Sequence, residues 1–284
     1  MPGRRVLVVA VVGVAAGVLG TSYGAREVLH RQAAVARRLI GKPLGETPPD
    51  ADRVWKKAYG TDVEPLELLM LGDSIAAGLG AERRKDTLGG RLAKGLAKRT
   101  DRPVRLTTGA IVGSESSQLA DQLDALEVRD PAYAADVAVI VVGGNDVTHR
   151  VPVAESVAYL DEAVSRLRQR GTEVVVGTCP DLGALRPVPQ PLRSLGSRAS
   201  RQLAQAQARA AVSAGAHAVS LSTVVGPFFI TNPEEMFSLD RFHPSALGYR
   251  RTAAALLPSL LTALGLHDTV PFGHSAPEVV ASNR

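Results

Sequence analysis

The side chains able to do chemistry in this chain fall in four short stretches. Ser74 lies in Leu71-Gly72-Asp73-Ser74-Ile75-Ala76-Ala77-Gly78, where an apolar run over 68–71 breaks on a glycine and small residues follow. A serine hydroxyl is inert at neutral pH, so a nucleophilic Ser74 needs a base and an oxyanion site from elsewhere in the chain. His243 is the candidate base, in Ser238-Leu239-Asp240-Arg241-Phe242-His243-Pro244-Ser245. Asp240, three residues ahead, is close enough to accept the imidazole Nδ1–H and leave Nε2 turned toward a nucleophile. Asn145, in Gly143-Gly144-Asn145-Asp146, carries amide hydrogens suited to a developing oxyanion. Gly113 stands directly before an expected helix start, where N–H groups are unpaired, and is a second oxyanion donor beside the Ser74 N–H. Each stretch alone has a plainer reading. Gly-Asn-Asp is ordinary turn chemistry, the Gly113 segment an ordinary strand-to-helix loop, and a single histidine near a helix is more often structural. Together they point to a serine nucleophile.

Other residues invite chemistry less strongly. Asp73 and Asp146 read as residues that tie down their own loops. His149 reads as a surface histidine near the cleft, Cys179 as a packed thiol after a strand, and Arg83-Arg84-Lys85 as a solvated charge run. Four of the five phenylalanines fall between 228 and 242. Core packing is the simple account of them; the sharper one makes Phe228, Phe229 and Phe237 an acyl-chain wall beside His243.

The elements that must position these residues alternate along the chain. Apolar strand candidates are 66–71, 104–107, 137–142, 174–178 and 218–221, and helix-like stretches are 86–98, 116–126, 153–170, 191–214 and 244–264. This pattern predicts an α/β fold with a central parallel sheet of about five strands, covered by helices on both faces. Ser74 and Asn145 each follow a strand, and so belong on the sheet edge where open α/β proteins bind ligands.

Composition bounds the rest. The 284 residues are 45% hydrophobic but only 4% aromatic, so the core must be built from Ala, Val and Leu. The net charge of +5 sits mostly in the first 65 residues, with 10 Lys and Arg against 6 Asp and Glu; the remainder holds 23 against 22. A near-neutral main domain is no nucleic-acid binder. One cysteine excludes an internal disulfide and a multi-cysteine zinc site.

Residues 6–25 carry no charge and would span about 30 Å as a helix, a bilayer's hydrocarbon thickness. We expect 1–25 to be a signal anchor, or alternatively a cleaved signal peptide. Residues 26–65 read as a basic stalk and Pro-rich linker, with Trp55 and Tyr59 packing it onto the domain, 66–266 as the main domain, and 267–284 as a flexible tail. Membrane attachment through the amino-terminal helix, with the domain outside the cytoplasm, is the expected location; secretion after signal cleavage is the alternative.

The four stretches, taken in order, resemble the sequence blocks of the SGNH/GDSL hydrolases. Gly72-Asp73-Ser74 resembles the nucleophile block, Gly113 the glycine of the second block, Gly144-Asn145-Asp146 part of a Gly-x-Asn-Asp block, and Asp240 with His243 the Asp-x-x-His block. The resemblance spans roughly 66–264. Thr108 stands where the second block often has Asn, which leaves Gly109 as an alternative donor, and Ile75 replaces the commonest residue after the serine. The resemblance implies a flavodoxin-like three-layer α/β/α sandwich and serine esterase or lipase-like chemistry, with no metal and no organic cofactor.

The expected function is hydrolysis of acyl esters of lipids or envelope glycans by a monomer, through an acyl-enzyme on Ser74. Acyl transfer to a sugar or glycerol acceptor by the same residues is an alternative. A non-catalytic binding module is a third, disfavoured because a binder needs none of this machinery.

Overall fold

The computed structural model describes residues 24, 26–36, 38–40, 45–55 and 63–277. All but Gly24 of the uncharged segment over 6–25 lies outside them, as does Tyr59. Among the described residues no helix is long and apolar enough to cross a membrane.

Seven strands form one sheet: β1 (Arg53–Trp55), β2 (Leu66–Gly72), β3 (Val104–Thr108), β4 (Val137–Val141), β5 (Glu173–Gly177), β6 (His217–Val219) and β7 (His274–Ser275). Their order is β1-β3-β2-β4-β5-β6-β7. The inner five run parallel, and β1 and β7 pair antiparallel at the two edges. The five expected parallel strands are all present, and two antiparallel edge strands extend the sheet to seven. The two additions come from stretches assigned to the linker and to the tail, and both are too short to show an alternation of their own. Each contacts one neighbour only, where backbone pairing rather than an apolar pattern defines it. Trp55 does pack the linker onto the domain, lying against the core that holds Leu88 and Leu92, and its indole Nε1–H donates back to the Ala51 carbonyl at 3.0 Å.

The apolar strands split their side chains between two layers. Leu68 and Met70 of β2 face a core closed by α1 (Leu88–Thr100) and α5 (Ala246–Ala263), and Val139 and Val141 of β4 face the same way. Leu69 and Leu71, with Ala138 and Ile140, face a second core under α2 (Leu119–Arg129) and α3 (Val153–Gln169). The helix α4 (Leu192–Ser213) joins this second layer through Ala211. Burial on both faces is why these strands read as continuous apolar runs. The helices start where their caps dictate: Thr87 accepts from the Gly90 N–H before α1, and Ser245 from those of Leu247 and Gly248 before α5. Pro244 directly precedes that cap.

The chain leaves the central strand β2 toward β3 on one side, then returns to lay β4, β5 and β6 on the other. The crevice at such a switch of direction opens at the carboxyl ends of β2 and β4. Ser74 and Asn145 follow those two ends directly.

Candidate active site

Gly72 ends β2 with a φ of +124°, and a Cβ there would fall 1.9 Å from the Val141 carbonyl oxygen. Only glycine lets the two strands stay this close while the chain turns out of the sheet. The next N–H, of Asp73, donates to that same carbonyl at 3.0 Å. The Asp73 carboxylate then accepts from the Ile75 N–H at 2.9 Å, capping the single helical turn Ser74–Ala77. Ser74 therefore sits at a helix start. Neither its N–H nor that of Gly113 has an acceptor among the described residues.

The rest of the cluster is fastened to this turn. The His243 Nε2 lies 3.0 Å from the Ser74 Oγ, and its Nδ1 lies 2.6 Å from the Asp240 Oδ2. The other Asp240 oxygen accepts from the Ser238 hydroxyl and from the N–H groups of Phe242 and His243, at 2.8, 2.9 and 2.9 Å. Burial alone would raise this carboxyl. The bonds from the His243 ring, the two N–H groups and Ser238 outweigh it and hold the group at about 2. Asp240 is thus ionised at any working pH, facing the nitrogen that would carry positive charge during proton transfer. Phe242 packs edge-on against the imidazole, ring centres 4.9 Å apart.

Asn145 opens the short helix Gly144–His149 after β4. One amide hydrogen goes to the Ser114 carbonyl at 2.9 Å, which fixes the side chain and leaves the second hydrogen for a ligand. The buried Asp146 accepts from the Ser116 N–H through both oxygens, so it ties the loop after β3 to the loop after β4. Gly113 stands in the loop so held, with a φ of +87° and open space at its Cβ position. The alternative donor is excluded: the Gly109 N–H is spent on the Met70 carbonyl at 2.9 Å.

Two positioning side chains carry no sequence signal of their own. Gln122 of α2 both accepts from the Gly72 N–H (2.9 Å) and donates to its carbonyl (2.8 Å), and reaches the Ser114 hydroxyl at 3.2 Å. Tyr249 of α5, fully buried, donates to the Leu79 carbonyl behind the Ser74 turn at 2.5 Å. Both read as unremarkable helix residues until tertiary structure shows what they touch.

A cleft opens at Ser74, Asn145 and His243. Its walls include Ile75, Leu185, Leu221, Val225, Phe229 and Phe237, and it encloses a cavity of about 80 Å³. Phe229 and Phe237 meet edge-on there at 4.9 Å. Phe228 does not belong to this wall. It is 37% exposed and lies under the Arg251 guanidinium at 4.6 Å, because consecutive residues on a helix point about 100° apart and Phe229 takes the inward position.

The remaining candidates are structural. His149 pairs with Glu115 at the surface, at 2.6 Å. Cys179 is buried, and burial pushes its thiol well up, which removes it from thiolate chemistry. Arg83 pairs with Asp86 at 2.7 Å. Asp73 is the exception: burial drives its carboxyl up to about 7, against the Ile75 N–H and the nearby His243, both of which favour the charge.

A hydroxyl, an imidazole and a carboxylate in hydrogen-bonded sequence, set at the switch point of a flavodoxin-like sheet, form the arrangement of a serine hydrolase. The chain belongs to the GDSL-like lipase/acylhydrolase family, whose model matches residues 70–251. A curated relative, the GDSL-like esterase Rv1075c of Mycobacterium tuberculosis (strain ATCC 25618 / H37Rv), is 40% identical over 288 residues, covering 98% of this chain and 89% of the relative. Among solved structures, TesA aligns with a TM-score of 0.55 at 23% identity, over 69% of this chain and 99% of its own. A catalytic mutant of Axe2, an acetylxylan esterase from Geobacillus stearothermophilus, aligns with a TM-score of 0.54 at 18% identity, over 73% and 98%. These two likenesses concern the fold. The family carries ester hydrolysis.

Proposed function

We propose that this protein cleaves short acyl esters by way of an acyl-enzyme on Ser74. In this reading His243 takes the Ser74 proton as Oγ attacks the ester carbonyl, then gives it to the leaving alcohol. Asp240 holds the imidazole and stabilises its charge. The N–H groups of Ser74 and Gly113, with the Asn145 amide, receive the oxyanion, and water attacking by the same path in reverse frees the acid. The single observation that carries the reading is the unbroken line from Asp240 through His243 to Ser74, at 2.6 and 3.0 Å.

The acyl size follows from the cleft. Its 80 Å³ is smaller than an engineered apolar cavity of about 150 Å³ that holds benzene, which favours a short acyl group. Membrane attachment through residues 6–25 suits acyl groups carried on envelope lipids or glycans. We also infer from residues 6–25 that the protein is held at a membrane with this domain outside the cytoplasm. Finding the chain in the soluble fraction, with residues 1–25 removed, would replace that inference with secretion.

Nitrophenyl esters of graded chain length test the chemistry, with fluorophosphonate labelling alongside. The parent should label and prefer the shortest acyl chains, and Ser74→Ala should do neither. Labelling that survives in Ser74→Ala overturns the assignment, and a parent that neither labels nor hydrolyses any ester leaves a binding module. Acylated alcohol accumulating when glycerol or a sugar is supplied would make the protein a transferase using the same residues.

A further inference from the structure

Residues 26–36 are helical, and the helix has two unlike sides. Leu29, Gln32, Ala33, Ala36 and Ile40 recur at three- and four-residue spacing and are partly or fully covered. Gln32 fixes that side to the domain: its side-chain oxygen accepts from the Leu192 N–H at 3.1 Å, and its amide donates to the Gln190 carbonyl. The other side carries Val28, Arg31, Val35, Arg38 and Leu39, also at helical spacing. The three apolar members are 47%, 43% and 52% exposed. An apolar stripe left bare on a docked helix, with arginines set into it, is the pattern of a segment lying in a bilayer interface.

The surface that receives this helix continues the pattern. From Leu182 to Pro233 the chain contains five arginines and no aspartate or glutamate. Leu195 and Arg198, three apart on the first turns of α4, are both exposed, and Ser194, Ser197, Arg198 and Arg201 share one open groove. The same segment forms a wall of the ester cleft. Asp181, buried at the cleft, accepts from the Ser197 hydroxyl at 2.7 Å and from the Arg201 Nε at 2.8 Å, while Leu182 donates its N–H to Ser200 at 3.1 Å.

We propose that the Val28–Arg31–Val35–Arg38–Leu39 stripe, with Leu195 and Arg198, is a docking face for an anionic bilayer surface. Charge complementarity selects that occupant: residues 26–40 hold four arginines and one carboxylate, Glu27, which pairs with Arg31 at 2.8 Å, and α4 holds four arginines and no carboxylate. So does chain order: the uncharged residues 6–25 run directly into the stripe. Docked this way, the wall formed by 181–185 lies close to the lipid surface, and the cleft receives esters from molecules held there. That last consequence rests on the ester-hydrolase reading; the docking does not.

The test must separate this face from the apolar segment before it, which would enter any bilayer whatever its charge. Cys179 is buried, so an environment-sensitive thiol dye on the full-length Leu195→Cys chain reports on the face itself. The dye should shift to the blue in vesicles of phosphatidylcholine with phosphatidylglycerol, and several-fold less in phosphatidylcholine alone. The difference should collapse in 1 M salt, where screening acts within about 3 Å. It should also vanish with Arg38→Glu and Arg198→Glu together, while hydrolysis of nitrophenyl acetate stays at the parent rate. Equal shifts in both vesicles overturn the proposal. So does a shift produced by duplex DNA instead of anionic lipid, or one that grows with protein concentration without vesicles and marks a second copy of the chain. If no ester is hydrolysed by any form, thermal melts certify the fold and the dye result still decides the docking.

Discussion

The cleft has two halves built on different physical terms. The polar half, after β2, β3, β4 and before α5, is held by directional bonds: each of Asp240, His243, Asn145 and Asp146 has named partners between 2.6 and 3.2 Å. The apolar half, after β5 and β6, is held by contact, with Phe229 against Phe237 and Leu221 and Val225 beside them. A directional network fails as a unit when one member is lost, whereas a packed wall can be enlarged or reshaped member by member. The first half should therefore set the rate, and the second which acyl group is accepted.

The hardest blow to that division is Asp240→Asn. The amide can still hold the ring, but it offers no charge and favours the wrong tautomer, so kcat should fall about a thousandfold or more with the acyl preference unchanged. A fall under tenfold would mean His243 works without its carboxylate. Asn145→Ala comes next. Losing one oxyanion donor should lower kcat about a hundredfold or more, with KM little moved, as steady-state kinetics on nitrophenyl acetate would show. A rise in KM alone would make Asn145 a binding residue instead.

Crossing to the packed half, Phe229→Ala should lower stability by about 3–5 kcal/mol, read by urea unfolding, and shift the preferred acyl chain upward as the cavity grows. Phe228→Ala, its outward neighbour, should leave chain preference where it was. A shared effect would erase the distinction between the two positions.

A further effect concerns Asp73. Between 3.8 and about 7 the folded chain holds a proton on this group that the unfolded chain releases, so stability falls as pH rises across that window. Asp73→Asn can keep the cap while removing the titration. Thermal melts at pH 5 and pH 8 should show the variant gaining on the parent at the higher pH; equal differences at both would place Asp73 among ordinary carboxylates. Asp240 works in the opposite sense. Its contribution is present above 3.8 and lost as pH falls through about 2.

Legibility followed the same division. Ser74, Asp240, His243 and Asn145 could be read because each sits in a short turn whose glycine, proline or cap is local, and two of them are only three residues apart. The five inner strands and the five long helices could be read because burial on one or two faces leaves a period in the sequence. Gln122 and Tyr249 left no such trace, since their partners, Gly72 and Leu79, lie 50 and 170 residues away. The edge strands β1 and β7 also escaped, being too short for a period and defined only by the neighbour they pair with.

By itself, then, the sequence determined the layered architecture and the short turns that carry Ser74, Asn145, Asp240 and His243, because those depend on side-chain type and spacing over a few positions. Only the tertiary structure decided that the Gly109 N–H bonds to Met70 while that of Gly113 has no acceptor among the described residues, and that Phe229 faces the cleft while Phe228 faces Arg251. The same holds for the amino-terminal helix, which turns one side to the domain and leaves the other bare. The reason is common to all three. Which side of a residue is occupied depends on what the rest of the chain brings against it, and no local pattern carries that information.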